Sequence, residues 1–166
     1  MKAIKFIYII DSSSLIDLRI HYPIDIFRGI WNNFETLIRK RSLISSIEVL
    51  NEITRRDDEL TNWGNQHGNI FKPINFSCTE KVKEILTEFP QLADINKITP
   101  DADPFIIALA LERDPQKTLI PTDIKKVVLT QEKYKENKIN IPFVCQSYGI
   151  ECINLLELFR KERWEF

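Results

Sequence analysis

The chain has 166 residues, with 23 basic and 24 acidic side chains and a formal net charge of −1. This length suffices for one domain with its own hydrophobic core, so we expect residues 1–166 to form a single domain. The even charge balance argues against a protein that holds nucleic acid through overall positive charge. Three cysteines without CxxC spacing and two histidines disfavour a disulfide framework, a zinc site and histidine-dependent catalytic triads. No apolar run approaches the ~20 residues of a membrane span, so we expect a cytoplasmic protein.

The predicted elements alternate between strands and helices along the chain. Residues 5–10, without polar alternation, are typical of a buried strand in a parallel sheet, residues 127–129 are a second buried strand candidate, and residues 151–153 predict a third short strand. Segments with apolar residues at helical spacing predict helices at 14–20, 24–41, 46–55, 58–67, 79–89, 104–113, 141–148 and 155–164. This order predicts a three-layer α/β fold with a central, mostly parallel sheet flanked by helices.

An aspartate stands where the first predicted strand ends, in the segment "FIYIIDSSSLIDL". Aspartate is a favoured helix N-cap, and this is the ordinary interpretation of Asp11. Ser14 and Asp17 nevertheless have the spacing of a capping box, so we expect Ser14 to cap the helix and leave Asp11 free. Ligands of parallel α/β folds bind at the carboxyl ends of the strands, which is where Asp11 lies.

Three further acidic residues belong to segments that we expect to meet the same edge of the sheet. Glu52 flanks the buried stripe of its helix, although a solvated helix face is the ordinary interpretation for such a glutamate. Asp103 precedes a proline and an almost wholly apolar helix, so it is predicted to be the N-cap of that helix whether or not it also binds metal. Glu132 follows the second predicted strand, where Thr130 could equally cap the next element.

Four carboxylates at one edge would repel each other in the absence of a cation. Hard oxygen ligands of this kind suit Mg²⁺ or Mn²⁺ better than zinc. One or two such ions can activate water and stabilise an in-line displacement at a phosphodiester. The hypothesis from the residues alone is therefore a divalent metal site formed by Asp11, Glu52, Asp103 and Glu132.

Four segments, in this order along the chain, resemble the signature segments of the PIN-domain ribonucleases: "YIIDSSSLIDL", "EVLNEI", "DPFIIALALE" and "VVLTQE". The C-terminal segment resembles an uncharacterised bacterial branch of this family, so the resemblance covers nearly the whole chain. It implies a PIN-like fold and an endoribonuclease that depends on Mg²⁺ or Mn²⁺. The metal ligands and catalytic residues that it implies are Asp11, Glu52, Asp103 and Glu132. Ser13 and Thr130 would hydrogen-bond the carboxylates or bound water.

The resemblance also implies partners. VapC-type toxins are the commonest proteins of this kind, which implies an RNA substrate, a small antitoxin protein and a possible homodimer. The fourth acid is Glu132 where most relatives have Asp or Asn, and this longer side chain leaves open whether one or two metals bind. Lys133 and Lys135 are the favoured substrate contacts, although a solvated surface is the ordinary interpretation of each basic cluster. Trp63 is the one aromatic residue with no evident role in the core, so it could stack on single-stranded RNA or equally pack within the insertion between Glu52 and Asp103.

Two other functions stay open. The first is a catalytically silent PIN-fold module that binds or scaffolds other molecules, against which the presence of all four acidic positions argues. The second is a haloacid-dehalogenase-like phosphatase, which also begins with an aspartate after the first strand. That chemistry requires a second acid two residues later, and this chain has Ser13 at that position.

Overall fold

The computed structural model describes residues 3–99, 101–113 and 122–166. Within them, the strands are β1 Ala3–Ile10, β2 Leu43–Ser46, β3 Phe71–Lys72, β4 Thr122–Leu129 and β5 Glu151–Ile153. The helices are α1 Ser12–His21, α2 Arg28–Arg39, α3 Ile47–Thr54, α4 Asp58–Gln66, α5 Phe76–Glu88, α6 Asp103–Leu111, α7 Ile141–Tyr148 and α8 Leu155–Lys161. No helix in these ranges is long and apolar enough to cross a membrane.

The five strands form one sheet in the order β3-β2-β1-β4-β5, and every neighbouring pair is parallel. The central strand β1 pairs with β4 along its whole length, from Ala3 beside Thr122 to Ile10 beside Leu129. Because the strands are parallel, their carboxyl ends all lie at one edge, which we call the carboxyl edge. The strand order reverses direction at β1, and such switch points are where open α/β sheets bind ligands.

Helices cover both faces of this sheet, as the register of the two central strands shows. Lys126 of β4 lies beside Ile7 of β1, and its ammonium donates a hydrogen bond to the Leu109 carbonyl oxygen of α6. The hydroxyl of Tyr8 donates to the side chain of Glu162, directly after α8. Successive side chains of a strand point to opposite faces, so α6 and α8 lie on opposite sides of the sheet. The predicted three-layer α/β fold, with a central parallel sheet flanked by helices, is confirmed.

The core explains which strands could be predicted. The last residues of β1 and of β4, Tyr8–Ile10 and Val127–Leu129, are fully buried, because both faces of the sheet are covered. The strands β2 and β3 were not predicted, because β2 ends in two buried serines and β3 has only two residues. Trp63, which had no evident core role in the sequence, belongs to the hydrophobic core. Its side chain is 8% exposed and packs edge-on against Trp31, with ring centroids 5.7 Å apart.

Candidate functional site

Asp11 lies at the carboxyl end of β1, is almost fully buried and is the N-cap of α1. Its Oδ1 accepts a hydrogen bond from the Ser14 backbone N–H at 2.8 Å. Its Oδ2 accepts from the Ser13 hydroxyl at 2.7 Å and from the Thr130 hydroxyl at 2.6 Å. The prediction that Ser14 caps this helix was wrong, because α1 begins two residues earlier than predicted and Asp11 itself occupies the capping position.

Burial of the Asp11 carboxyl group raises its pKa to about 6. The hydrogen bonds from Thr130, Ser13 and Ser14 act in the opposite direction, because they favour the charged form. Asp11 is therefore both a structural cap and a carboxylate whose charge is costly in its surroundings.

These two roles of Asp11 can be separated by two substitutions. Asp11→Asn keeps an oxygen for the Ser14 N–H and removes the charge, whereas Asp11→Ala removes both. We expect Asp11→Ala to be less stable than Asp11→Asn by about 1 kcal/mol, the usual contribution of an N-cap. Urea unfolding of the two variants measures this difference, and equal stabilities would show that the cap contributes nothing.

Glu52, in the second half of α3, connects the beginnings of two other helices. Its Oε2 accepts a hydrogen bond from the Ser12 hydroxyl at 2.6 Å, and its Oε1 accepts from the Ala102 backbone N–H at 3.0 Å. Ser12 directly follows Asp11, and Ala102 directly precedes Asp103. The structure therefore directs the Glu52 side chain to the carboxyl edge. The contact with Ser12 was not predicted, and its only trace in the sequence is that three serines follow Asp11.

Asp103 is the first residue of α6, and the N-cap position belongs to Ala102, which has no side chain to cap the helix. The prediction that Asp103 is the N-cap was therefore wrong by one position. No residue in the described ranges donates a hydrogen bond to the Asp103 side chain. Its two carboxylate oxygens thus remain available, at the point where the other acidic segments meet.

Burial and nearby negative charges change the pKa of Asp103. Burial of its carboxyl group, together with the negative charges of the carboxylates nearby, raises this pKa to about 8. Those carboxylates belong, in order of decreasing effect, to Glu132, Asp11, Glu52 and Asp101. Four other acidic residues, three of them distant in sequence, therefore surround Asp103 closely enough to repel its negative charge. We call Asp11, Glu52, Asp103 and Glu132 the acidic cluster.

Glu132 is half-buried and follows β4 closely. Its Oε2 accepts a hydrogen bond from the Ile141 backbone N–H at 3.1 Å, so this carboxylate holds the first turn of α7. Its own backbone N–H donates to the Thr130 hydroxyl at 3.1 Å. Thr130 therefore joins the carboxylate of Asp11 to the backbone of Glu132.

One acidic and one basic residue beside the cluster were missed in the sequence. Asp101 accepts a hydrogen bond from the Asp94 backbone N–H and forms an ion pair with Lys97. Burial acts to raise the pKa of Asp101, but the hydrogen bonds from Lys97 and Asp94 outweigh it and lower this pKa. The pKa of Lys97 is raised, mainly by its hydrogen bond to Asp101 and also by the charges of Asp94 and Glu52. Lys97 is therefore a cation at the margin of the acidic cluster.

The predicted substrate contacts Lys133 and Lys135 are both exposed, directly after Glu132. No residue in the described part of the chain forms an ion pair with either ammonium group. The backbone here is fixed, because the Asn140 side-chain amide donates to the Lys133 carbonyl oxygen at 3.0 Å.

The donor set of the acidic cluster suits a hard divalent cation. All four side chains offer carboxylate oxygens, and their mutual repulsion at Asp103 is the kind that such a cation relieves. The four carboxylates are not spaced like a complete set of metal ligands. Across residues 3–99, 101–113 and 122–166, no three His, Cys, Asp or Glu side chains are arranged to hold a metal ion as they stand. The chemistry of the cluster therefore fits Mg²⁺ or Mn²⁺, and its side chains would have to draw closer together around the ion.

The fold and the site define an α/β protein with an acidic cluster at the carboxyl edge of a parallel sheet. The chain belongs to the family described as Domain of unknown function (DUF4411), whose model matches residues 8–166. A comparison with curated proteins gave no match. Among solved structures, the chain is similar to that described as VapBC2 from Rickettsia felis bound to a DNA fragment from their promoter. The identity is 16%, the match covers 90% of this chain and 98% of that chain, and the TM-score is 0.48.

Proposed function

We propose that this protein is a divalent-metal-dependent endoribonuclease whose acidic cluster holds Mg²⁺ or Mn²⁺. The observation that carries the proposal is the position of Asp103, which is surrounded by the charges of Glu132, Asp11, Glu52 and Asp101. Such a concentration of negative charge is costly to a fold, and it is commonly found where a cation binds. The order of the four signature segments supports the same activity.

Each residue of the site has a definable task in this proposal. The ion, when bound, activates water and stabilises the negative charge that develops on the phosphate. Asp103 offers two oxygens to it that no described residue engages. Asp11 and Glu52 are oriented by the hydroxyls of Ser13, Thr130 and Ser12, and such hydrogen bonds fix the direction of metal-binding carboxylates.

The substrate requires local positive charge, because the chain as a whole carries a net charge of −1. Lys97 lies beside Asp101 at the margin of the acidic cluster, and Lys133 and Lys135 directly follow Glu132. These three ammonium groups flank the cluster on two segments of the chain. We propose that they contact the phosphates on either side of the bond that is cut.

We further propose that the protein is the toxin of a toxin–antitoxin pair, acts in the cytoplasm, and is silenced by a small antitoxin protein. This part rests on the resemblance of the four segments to those of VapC-type toxins, which also makes a homodimer possible. Co-expression with the neighbouring reading frame tests it. Growth arrest by this chain alone, and its relief by that reading frame, is the expected result.

Cleavage of a single-stranded RNA in Mn²⁺ tests the enzymatic activity, and EDTA should stop it. Glu52→Gln should lower the cleavage rate at least about 100-fold, because changes that only disturb the support of a metal ligand already cost 10–100-fold. Glu48→Gln is the matched control. Glu48 is a buried glutamate one helical turn earlier in α3, and it does not contribute to the raised pKa of Asp103. Equal loss of activity in both variants would remove Glu52 from the site.

The same assay separates the alternative functions. A silent binding module would bind RNA or protein without any metal-dependent cleavage. A haloacid-dehalogenase-like phosphatase would hydrolyse a phosphomonoester. Against the phosphatase, the side chain two residues after Asp11 is Ser13, whose hydroxyl donates a hydrogen bond to Asp11.

A further inference from the structure

An exposed aromatic side chain lies close along the chain to Glu132 of the acidic cluster. Tyr134 is two residues after Glu132, stands between Lys133 and Lys135, and is 46% exposed. It is an exposed aromatic ring that could stack on RNA, a role that the sequence left open for Trp63, whose side chain the structure buries instead. The metal binding proposed for the acidic cluster does not require a large aromatic ring at the surface between two lysines.

The ring of Tyr134 is supported from one side. It stacks on the ring of Phe143, with centroids 5.9 Å apart and planes inclined by 4°. Phe143 in turn packs edge-on against Phe89, at 6.3 Å and 77°. Phe143 and Phe89 both pack against the hydrophobic core. The Tyr134 ring therefore rests on a fixed aromatic layer and presents the rest of its surface to solvent.

The backbone on both sides of Tyr134 is also held in place. The Lys133 carbonyl oxygen accepts from Asn140, and the Glu132 carboxylate accepts from the Ile141 N–H. Two residues of chain span at most about 7 Å, so Tyr134 cannot lie far from Glu132. These hydrogen bonds thus give the backbone of Tyr134 a defined place close to Glu132, which a flexible loop would not provide.

We propose that Tyr134 is a stacking platform for an unpaired base of the RNA substrate, with Lys133 and Lys135 contacting the flanking phosphates. The identification of RNA as the ligand rests on the function proposed above. A preorganised aromatic ring between cations is how proteins hold single-stranded nucleic acid, because every base has a π face and a negatively charged neighbour phosphate. Stacking of this kind tolerates different bases, so the platform positions the strand without reading a defined sequence.

Equilibrium binding of a single-stranded oligoribonucleotide of about ten nucleotides, which carries the fluorescent base 2-aminopurine, tests the platform. The measurement is made with EDTA, so that no cleavage occurs. Tyr134→Leu should weaken binding roughly 5- to 150-fold and reduce the quenching of the fluorescent base, because leucine still covers Phe143 but cannot stack. Tyr134→Phe should bind like the unchanged protein. Phe76→Ala is the matched control, because Phe76 is 80% exposed and lies at the opposite end of α5 from Phe89, which packs against Phe143.

A duplex RNA of the same sequence forms the second arm. Its bases are already stacked, so Tyr134→Leu should not change its affinity. The inference is overturned if Tyr134→Leu binds the single strand as tightly as Phe76→Ala does, or if the unchanged protein binds no single-stranded RNA. Binding that depends on Tyr134 without any Mn²⁺-dependent cleavage would refute the ribonuclease and leave the platform. Mn²⁺-dependent cleavage together with RNA binding that does not depend on Tyr134 would refute the platform and leave the ribonuclease.

Discussion

Asp103→Asn should make the metal-free protein more stable at pH 8, by about 1–3 kcal/mol in the free energy of unfolding, while it abolishes RNA cleavage. The gain has a simple origin. The carboxyl group of Asp103 is buried among other carboxylates, which raises its pKa to about 8. Asparagine keeps the shape of the side chain and removes the charge. A substitution that stabilises the fold and removes the activity is the signature of a residue kept for function.

The sign of the pH dependence follows from the same pKa. In the unfolded chain Asp103 loses its proton near its ordinary pKa of 3.8, whereas in the folded protein it keeps the proton up to about pH 8. The folded state thus binds more protons between these values, and stability falls as the pH rises through this window. Asp103→Asn removes this contribution, so its advantage over the unchanged protein should grow from pH 4 to pH 8. Urea unfolding across this range measures it.

Asp101→Asn is the control for this experiment, because it should have the opposite sign. The hydrogen bonds from Lys97 and Asp94 lower the pKa of Asp101, so its charged form stabilises the fold and is lost as the pH falls through its lowered pKa. At pH 8, Asp101→Asn should therefore destabilise the protein. If both variants were stabilised equally, the repulsion would be a general property of the surface and would not be centred on Asp103.

Mn²⁺ should raise the melting temperature of the unchanged protein by about 5–10 °C when its concentration is 100 times the dissociation constant. A ligand at that excess stabilises the folded state by about 2.7 kcal/mol, and each kcal/mol shifts the melting temperature of a chain of this size by about 2–4 °C. The ion must displace the protons of Asp103 and Asp11, whose pKa values are raised to about 8 and about 6. Binding should therefore become tighter from pH 6 to pH 8. Differential scanning fluorimetry with an EDTA reversal measures both effects.

Two variants delimit this prediction. Asp103→Asn should lose most of the response to Mn²⁺, because it removes the carboxylate around which the others are placed. In Lys97→Met, the melting temperature should rise at a lower Mn²⁺ concentration than in the unchanged protein. The ammonium group of Lys97, which pairs with Asp101 in the unchanged protein, is absent from this variant and does not compete with the ion. An unchanged melting temperature of the wild-type chain at saturating Mn²⁺ and Mg²⁺ would contradict the metal site and favour the silent binding module.

The uninterrupted apolar segments of the sequence, together with the helical spacing between them, were enough to predict the layers of the fold. The residues Tyr8–Ile10 and Val127–Leu129 are buried on both faces of the sheet, and an uninterrupted apolar run is the direct result of such burial. The strand β2 gave no such signal, because Ser45 and Ser46 are buried in it with their polarity satisfied locally. The hydroxyl of Ser45 donates to the Ile10 carbonyl oxygen, and that of Ser46 accepts from the Glu48 N–H.

The candidate acids could be named from the sequence, but their hydrogen-bond partners could not. Pattern and order singled out Asp11, Glu52, Asp103 and Glu132, because each stands beside a buried strand or helix. The cap of α1 was predicted wrongly because the helix begins two residues before its predicted start. The exact ends of helices are the feature that a sequence determines least well. The contact of Glu52 with Ala102 joins residues 50 positions apart through a backbone N–H, which no side-chain pattern encodes.

Hydrogen bonds hold the helix α6 at both of its ends. Near its beginning, Glu52 accepts a hydrogen bond from the Ala102 N–H, and at its other end Lys126 of the sheet donates to the carbonyl oxygens of Leu109 and Glu112. Movement of the helix along its axis would break hydrogen bonds at one end or the other, so the backbone of Asp103 is held beside the charges around it. Glu52 of α3 and Lys126 of β4 thus hold α6 in place from two different elements, and Asp103 keeps its position beside the other carboxylates whether its carboxyl group is charged or protonated.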